Sequence, residues 1–290
     1  MTITSHAAFE ETRFDIPRTM ALQQLGKYDP TARYEGSAFI KVHEDEHGRV
    51  VRHTIDWTEA RVEIAVAGEG AAAVIEGWRD AFPLDDGIDD FVAEHPVLER
   101  LVAAFPALRL VRVPWRFDVA VGAVLQQRVA FVDAARAFRR IALEWGVHDA
   151  LGVALPGPRR FAAISTAQLQ SIGIDAQRAR TLHLLAREEV LTGFLRKAVD
   201  PVKVRRRLTS IPGIGPWTTD MILGFGFGER NALPLGDVHL PSLVASTLGG
   251  QSHGTDAMMI ELLRPYEGHR FRVARLLWSA VFGAPHLLRP

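Results

Sequence analysis

The sequence predicts an α+β protein in two parts: a small N-terminal antiparallel sheet-plus-helix domain, residues 1–88, and an all-α body, residues 89–290. Three observations carry this reading. Runs of β-prone residues with period-two alternation fall between residues 37 and 67. From residue 84 onward the apolar spacing becomes helical and the breaks become short. Two helical segments then meet across the turn Pro212-Gly-Ile-Gly215. With 290 residues, 48% of them hydrophobic and 23% charged, the chain has ample material for a core and an ordinary soluble composition.

Residues 1–12 read as a loose tail, and Phe14-Asp-Ile-Pro17 begins the ordered part. Met20 to Leu25 forms a short helix. Ser37–His43 and Arg49–Ile55 alternate as strands, with Glu44-Asp-Glu-His-Gly48 as the hairpin loop between them. Arg61–Ala67 is a third strand, and Ala71–Phe82 a helix. His43, Glu44, Glu46 and His47 have metal-ligand chemistry, but a polar hairpin loop accounts for them and no metal is expected. Trp57 and Trp78 are packing residues.

Leu84 to Asp90 is a polar link that caps a short helix. The body then continues as helices at His95–Phe105, Phe117–Gln127, Phe131–Trp145, Thr166–Ile172 and Asp175–Val190. Gly152–Arg159 and Gly173 are breaks. Leu240–Leu248, Thr255–Leu263 and His269–Phe282 complete it.

Formal net charge is zero, which argues against a generally basic nucleic-acid binder, yet Lys203, Arg205, Arg206 and Arg207 form a local basic run. No cysteine is present, so disulfides and cysteine-held zinc or iron–sulfur clusters are excluded. Neither a signal peptide nor a long apolar span is visible, so the expectation is a cytoplasmic protein with no membrane association.

The richest stretch is Leu208 to Ile222. A basic helix, Val202–Leu208, enters the turn, and a second helix starts at Pro216 or Trp217, where proline costs no hydrogen bond. Gly213 and Gly215 permit φ > 0 and expose backbone N–H groups just ahead of a helix N-terminus, an arrangement suited to phosphate. The same pattern also serves as an ordinary tight turn, with Ile211 and Ile214 packing the two helices.

Taken with the loop Arg230-Asn-Ala-Leu-Pro-Leu-Gly-Asp-Val-His-Leu-Pro241, the hairpin resembles the helix-hairpin-helix plus Gly/Pro-rich-loop-and-Asp motif of DNA base-excision glycosylases. Within that superfamily the chain is most similar to the bacterial 3-methyladenine DNA glycosylase II group, weakly over its whole length and well over residues 112–282. The resemblance implies a helix-hairpin-helix glycosylase body, with hairpin 208–222 and catalytic loop 230–241, behind a sheet-plus-helix domain. It implies a monofunctional enzyme that hydrolyses the N-glycosidic bond of damaged, alkylated purines in double-stranded DNA. The alternatives are a non-catalytic DNA-binding or damage-sensing protein and a glycosylase for other lesions.

Asp237 falls at the family's catalytic aspartate, although its position before a helix also fits a simple N-cap. Trp217 stands where bifunctional relatives carry a lysine, which excludes Schiff-base chemistry from that position. Trp217, Met221 and Tyr266 are the implied substrate pocket, with a core role open for each aromatic. Met221 replaces a tyrosine of a close relative. Gln127 and Arg128 match the segment that fills the gap left by a flipped nucleotide, where several relatives have an apolar wedge. Pro212, Gly213, Gly215, Thr218 and Thr219 are the implied contacts to the DNA backbone, with Arg272 and Arg275 as weaker candidates. Arg178 and Arg180 read chiefly as solvated helix charges. No cofactor is required. The resemblance also implies a monovalent cation on the backbone carbonyls of the hairpin turn, and a monomer.

Overall fold

The computed structural model describes residues 3–10, 14–45, 47–58, 61–81, 86–197 and 200–288. Glu46 of the hairpin loop, Phe82 at the predicted helix end, and Leu84 and Asp85 of the link lie outside the described residues.

In chain order the elements begin with β1 (Thr4–Glu10), α1 (Ile16–Met20), β2 (Ala32–Glu35), β3 (Ala38–Glu44), β4 (Val50–Trp57), β5 (Arg61–Ala67) and α2 (Ala71–Ala81). Helices α3 (Pro96–Ala104), α4 (Arg116–Leu125) and α5 (Phe131–Trp145) follow, then β6 (Val147–Asp149) and β7 (Gly152–Ala154). Next come α6 (Pro158–Ala162), α7 (Thr166–Ser171), α8 (Ala176–Thr192), α9 (Phe194–Lys197) and α10 (Pro201–Thr209). The chain ends with α11 (Pro216–Phe227), α12 (Leu240–Leu248), α13 (Asp256–Leu262) and α14 (Arg270–Gly283).

Five strands form an antiparallel sheet in the order β1-β5-β4-β3-β2. The α+β class is therefore as expected, with several departures, among them strand β2, which no alternating run announces. The predicted tail contains β1, paired with β5 from Thr4↔Ala67 to Glu10↔Arg61. Ser5, Ala7 and Phe9 are half-buried at alternate positions, so the strand follows period two with small residues rather than a bold apolar run. The predicted break at Gly152–Arg159 instead contains a small hairpin strand and α6. This makes the body almost, but not wholly, helical.

The small hairpin has a structural purpose. Strand β3 is covered on both faces, unlike β5, whose Val62, Ile64 and Val66 alternate with more exposed residues. One face of the sheet packs Phe39, Ile55 and Ile64 with Trp78 and with Val113 and Trp115 of the body. On the other, Ile40 and Val42 meet Ala154 of β7. Polar ties cross the same seam. Lys41 Nζ lies 2.8 Å from Asp118 Oδ2 of α4 and donates to Thr31 Oγ1 at 2.7 Å. Glu44 Oε2 accepts from Gly157 N at 3.1 Å and Arg160 Nε at 3.0 Å.

The body has two further cores. One gathers α4, α5, α8, α10 and the apolar face of α11, including Leu125, Leu182, Leu208, Ile211, Ile214 and Ile222. The other joins α3, α12, α13 and α14 through Leu98, Val244, Met259 and Leu277. Helix α11 has glycine at 224, where an added Cβ would lie 2.2 Å from the Phe271 ring, so that absence of a side chain lets α14 pack directly onto it. Among the described residues, no helix is long and apolar enough to cross a membrane.

Candidate DNA-facing site at the hairpin

Helix α10 starts on Asp200, whose side chain accepts from Val202 N, and ends in a tight turn. Within that turn Ile211 N donates to Leu208 O and Ile214 N to Ile211 O, each at 3.0 Å. Both isoleucines are 5% exposed and anchor the turn in the core. The two glycines differ. Gly213 has φ +93°, and a Cβ there would sit 1.9 Å from Thr181 Oγ1, so glycine is required by backbone and space together. Gly215, predicted alike, is instead extended (φ −94°) as the N-cap of α11, and a Cβ there meets nothing within 4 Å. Its glycine leaves an open surface beside a helix N-terminus that no side chain caps. The first-turn amides of Trp217 and Thr218 lie beyond reach of any intrahelical carbonyl, which leaves this end with donors of the kind an anion can accept from.

The basic run on α10 is partly spent internally. Arg205 pairs with buried Asp220, whose carboxyl is raised by burial and lowered again by Arg205, and Arg207 pairs with Glu188.

The loop before α12 brings Asp237 to the same place. Ala232 and Leu233 are buried and hold its base, and Gly236 N donates to Asp256 Oδ2 at 2.8 Å. Asp237 Oδ1 accepts from His239 N at 2.9 Å and Leu240 N at 2.8 Å. Its other oxygen, Oδ2, accepts from the indole Nε1 of Trp217 at 2.8 Å. The N-cap of α12 is His239, with no side-chain cap, so Asp237 is not the simple N-cap its position suggests. From two residues ahead, one of its oxygens holds the amides that lead into α12; the other faces the first turn of α11, and the residue is partly exposed. Met221 lies one turn beyond Trp217 and is half-buried on the core. His239 is exposed and supplies only its backbone N–H to the carboxylate.

Several predicted contacts are placed differently. Thr218 and Thr219 are 2% and 0% exposed. The Thr218 hydroxyl accepts from Gln127, and Thr219 faces inward with Oγ1 unpartnered, so neither side chain is available to DNA. Their spacing at the helix start hid this, because helix phase decides which residues of a first turn point outward. Tyr266 is 6% exposed, packed on Phe91 with ring centroids 6.0 Å apart. Burial and Glu94 raise its phenol pKa, opposed by hydrogen bonds from the backbone of His95 and Glu94. No described hydrogen bond or ring contact joins it to Asp237 or Trp217. Arg272 and Arg275 are each 3% exposed: Arg272 pairs with Asp86, and Arg275 donates to the carbonyls of Arg18 and Thr19. Both are scaffold ties rather than phosphate ligands.

Gln127 and Arg128, at the end of α4, do come to the hairpin. Gln127 Nε2 donates to Gly213 O at 2.9 Å and to Thr218 Oγ1 at 2.7 Å. Arg128 is exposed and has φ +56°, the positive-φ non-glycine position among the described residues. Pro212 and Gly213 are exposed next to them. Two contributors escaped the sequence reading. Arg178 was read as a solvated charge but is buried, with Nη1 on Leu125 O at 2.7 Å. Asp256 braces the Asp237 loop across 20 residues, and a lone aspartate at a helix start gives no sign of such a reach. Among the described residues, no group of three or more His, Asp or Glu side chains is arranged to hold a metal, so His43, Glu44 and His47 form no such cluster.

Comparison with known proteins bears on the family and the fold. The chain is 31% identical over 176 residues to the probable bifunctional transcriptional activator/DNA repair enzyme AlkA of Mycobacterium tuberculosis, covering 59% of this chain and 34% of that one. It is 30% identical over 179 residues to DNA-3-methyladenine glycosylase 2 of Escherichia coli, covering 59% of this chain and 61% of that one. The matches thus span about a third and three-fifths of these two relatives. The fold is shared with a 3-methyladenine DNA-glycosylase from Archaeoglobus fulgidus, at TM-score 0.73 and 19% identity, over 95% of this chain and 99% of that one. A family profile described as HhH-GPD superfamily base excision DNA repair protein matches residues 121–267, half of the chain, including the hairpin and the Asp237 loop. The chain therefore belongs to the HhH-GPD superfamily of base excision DNA repair proteins.

Proposed function

We propose that the protein is a monofunctional DNA glycosylase that hydrolyses the bond between an alkylated purine and deoxyribose in duplex DNA, leaving an abasic site. The observation that carries this is the Asp237 carboxylate, fixed by three donors and held against Trp217 at the open N-terminus of α11. Departure of the base takes the bonding electrons with it and leaves positive charge on the sugar. A prepositioned carboxylate stabilises that charge more than the neutral ground state, which is what accelerates the step. Water then bonds to C1′, and its proton passes to solvent or to the carboxylate. An alkylated purine is electron-poor and often cationic, so the Trp217 face attracts it once it has been extruded from the stack. Trp217 offers no amine, so strand cleavage through a Schiff base is not expected.

The names of the Escherichia coli and Archaeoglobus fulgidus relatives support 3-methyladenine as the first substrate to try. Contact with the DNA backbone is assigned to the amides beside Gly213 and Gly215, with Pro212 shaping the turn. A cation on this turn would rest on backbone carbonyls, of which those of Pro212 and Gly213 also accept from Thr181 and Gln127. No step is routed through it. The enzyme is expected to act as a monomer.

The test is mass-spectrometric detection of free bases from alkylated duplex DNA, with wild type and Asp237→Asn. Release of 3-methyladenine or 7-methylguanine by wild type alone is expected. Tight binding to damaged DNA without release of any base by wild type would replace the enzyme with a damage sensor.

A further inference from the structure

We infer that Gln127 is a positioning residue, a strut that sets Arg128 in register with the hairpin, rather than a side chain that reads DNA. The inference rests on the proposed function only for its consequence in base extrusion; the strut itself is a property of the DNA-free protein.

Gly213 O can only accept, so the Gln127 nitrogen must face it, and the two bonds at 2.9 and 2.7 Å use both amide hydrogens. Gln127 has no N–H left for a base or phosphate. Two more bonds close a triangle. Arg178 at the start of α8 ties to Leu125 O at 2.7 Å and pairs with Asp175. Thr181, one turn along α8, shares its hydroxyl proton between Gln177 O at 3.0 Å and Pro212 O at 3.2 Å, and fills the space that a Cβ at Gly213 would need. The end of α4, the start of α8 and the hairpin turn thus hold one another pairwise, across separations of 86, 53 and 31 residues. Within the segment so clamped, Arg128 adopts φ +56°, a conformation L side chains rarely adopt. Such a conformation persists where the surroundings over-determine it. Arg128 is exposed, and no described hydrogen bond or ion pair engages it. The result is an uncommitted guanidinium on a strained turn, rigidly referenced to the amides expected to grip the DNA backbone.

If the strut serves base extrusion, its loss should matter most when the lesion is well paired, because unpairing is then most costly. The experiment measures single-turnover excision of one alkylated purine, paired in a duplex and in single-stranded DNA, together with melting of the DNA-free protein. Gln127→Leu removes the donors, Gln127→Lys restores donors, and Arg128→Gly relieves the backbone. Gln127→Leu is expected to slow paired excision roughly ten- to hundredfold with little change on single strands, and Gln127→Lys to recover most of it. Without DNA, Gln127→Leu should lower the melting temperature and Arg128→Gly raise it. The gain from Arg128→Gly should shrink in the double variant, because the released turn has already relaxed. Equal slowing on both substrates with unchanged melting would make Gln127 a direct DNA contact and overturn the inference. Additive melting shifts would overturn it as well. If the wild type releases no base, the glycosylase reading fails, while the melting comparison still decides the strut.

Discussion

Along the seam between sheet and body, Lys41 and Asp118 are 1% and 6% exposed and face one another at 2.8 Å. Beside them Trp78 Nε1 donates to His53 Nδ1, which sets the His53 proton on Nε2, from which it bonds to His43 Nδ1. Burial, and then Lys41, push the His43 pKa down to about 3. Burial raises Asp118 against the pull of Lys41. The hairpin side is built in the opposite way. Asp237 is partly exposed, Gly215 opens onto empty space, and Arg128 carries strain and charge without a partner among the described residues. A search for function guided by buried, perturbed groups would settle on the seam, where polar groups satisfy one another and join two layers. Here the candidate chemistry lies where donors and acceptors remain available to something outside the protein.

The sharpest break in this contrast pairs one substitution from each region. Asp237→Asn keeps an oxygen for the His239 and Leu240 amides but turns its NH2 onto the Trp217 N–H, so melting should fall only by the loss of that one bond while base release falls roughly a hundredfold or more. Lys41→Met leaves Asp118 buried without its cation and should cost about 3–5 kcal/mol in denaturant unfolding. Activity per folded molecule should survive. A Lys41→Met protein that folds normally but releases no base would place chemistry in the seam and dissolve the distinction.

Acid titration probes the seam through His43. The folded pKa of His43 lies below its unfolded value of 6.5, so the unfolded chain binds more protons between those limits. Stability contributed by neutral His43 is therefore full above pH 6.5 and lost as pH falls toward about 3. The loss should be on the order of a few kcal/mol, and His43→Asn should flatten that limb of the curve. Buried His53, shifted in the same direction, adds to it.

How much of this was legible follows the same division. Strands β3 to β5, most of the long helices, the hairpin and Asp237 announce themselves through local pattern: alternation, helical spacing, and Pro and Gly at fixed offsets. Strand β1 did not, because Ala7 and Phe9 give it little apolar contrast and its partner is more than fifty residues away. Site residues defined by long-range geometry were equally silent. Nothing near Gln127 indicates that its amide ends on Gly213, and nothing near Arg272 that Asp86 takes its charge. Gly213 and Gly215 look interchangeable in sequence, yet only Gly213 is wedged against Thr181. Gly213→Ala should destabilise the DNA-free protein by about 1–3 kcal/mol through backbone strain, with the clash against Thr181 adding to it. Gly215→Ala should leave melting unchanged and weaken DNA binding with a shallower salt dependence, if the amides there hold phosphate. Equal effects of the two on melting would remove the distinction drawn between them.

The smallest expected effect concerns Thr219, which sequence placed among the DNA contacts. Its side chain is fully buried, one residue beyond the Thr218 hydroxyl that anchors Gln127, and its own Oγ1 has no partner. A buried hydroxyl left unsatisfied costs free energy that a methyl group of nearly the same shape does not. Thr219→Val should therefore stabilise the protein, by about 1 kcal/mol, and leave affinity for duplex DNA and its salt dependence as they were. A residue reaching phosphate would respond in the reverse sense, with unchanged melting and weakened, less salt-sensitive binding. The two outcomes separate an inward-facing threonine from a DNA ligand without reference to any catalytic assay. They also test the helix phase that aims Trp217, two residues earlier, at Asp237 rather than into the core.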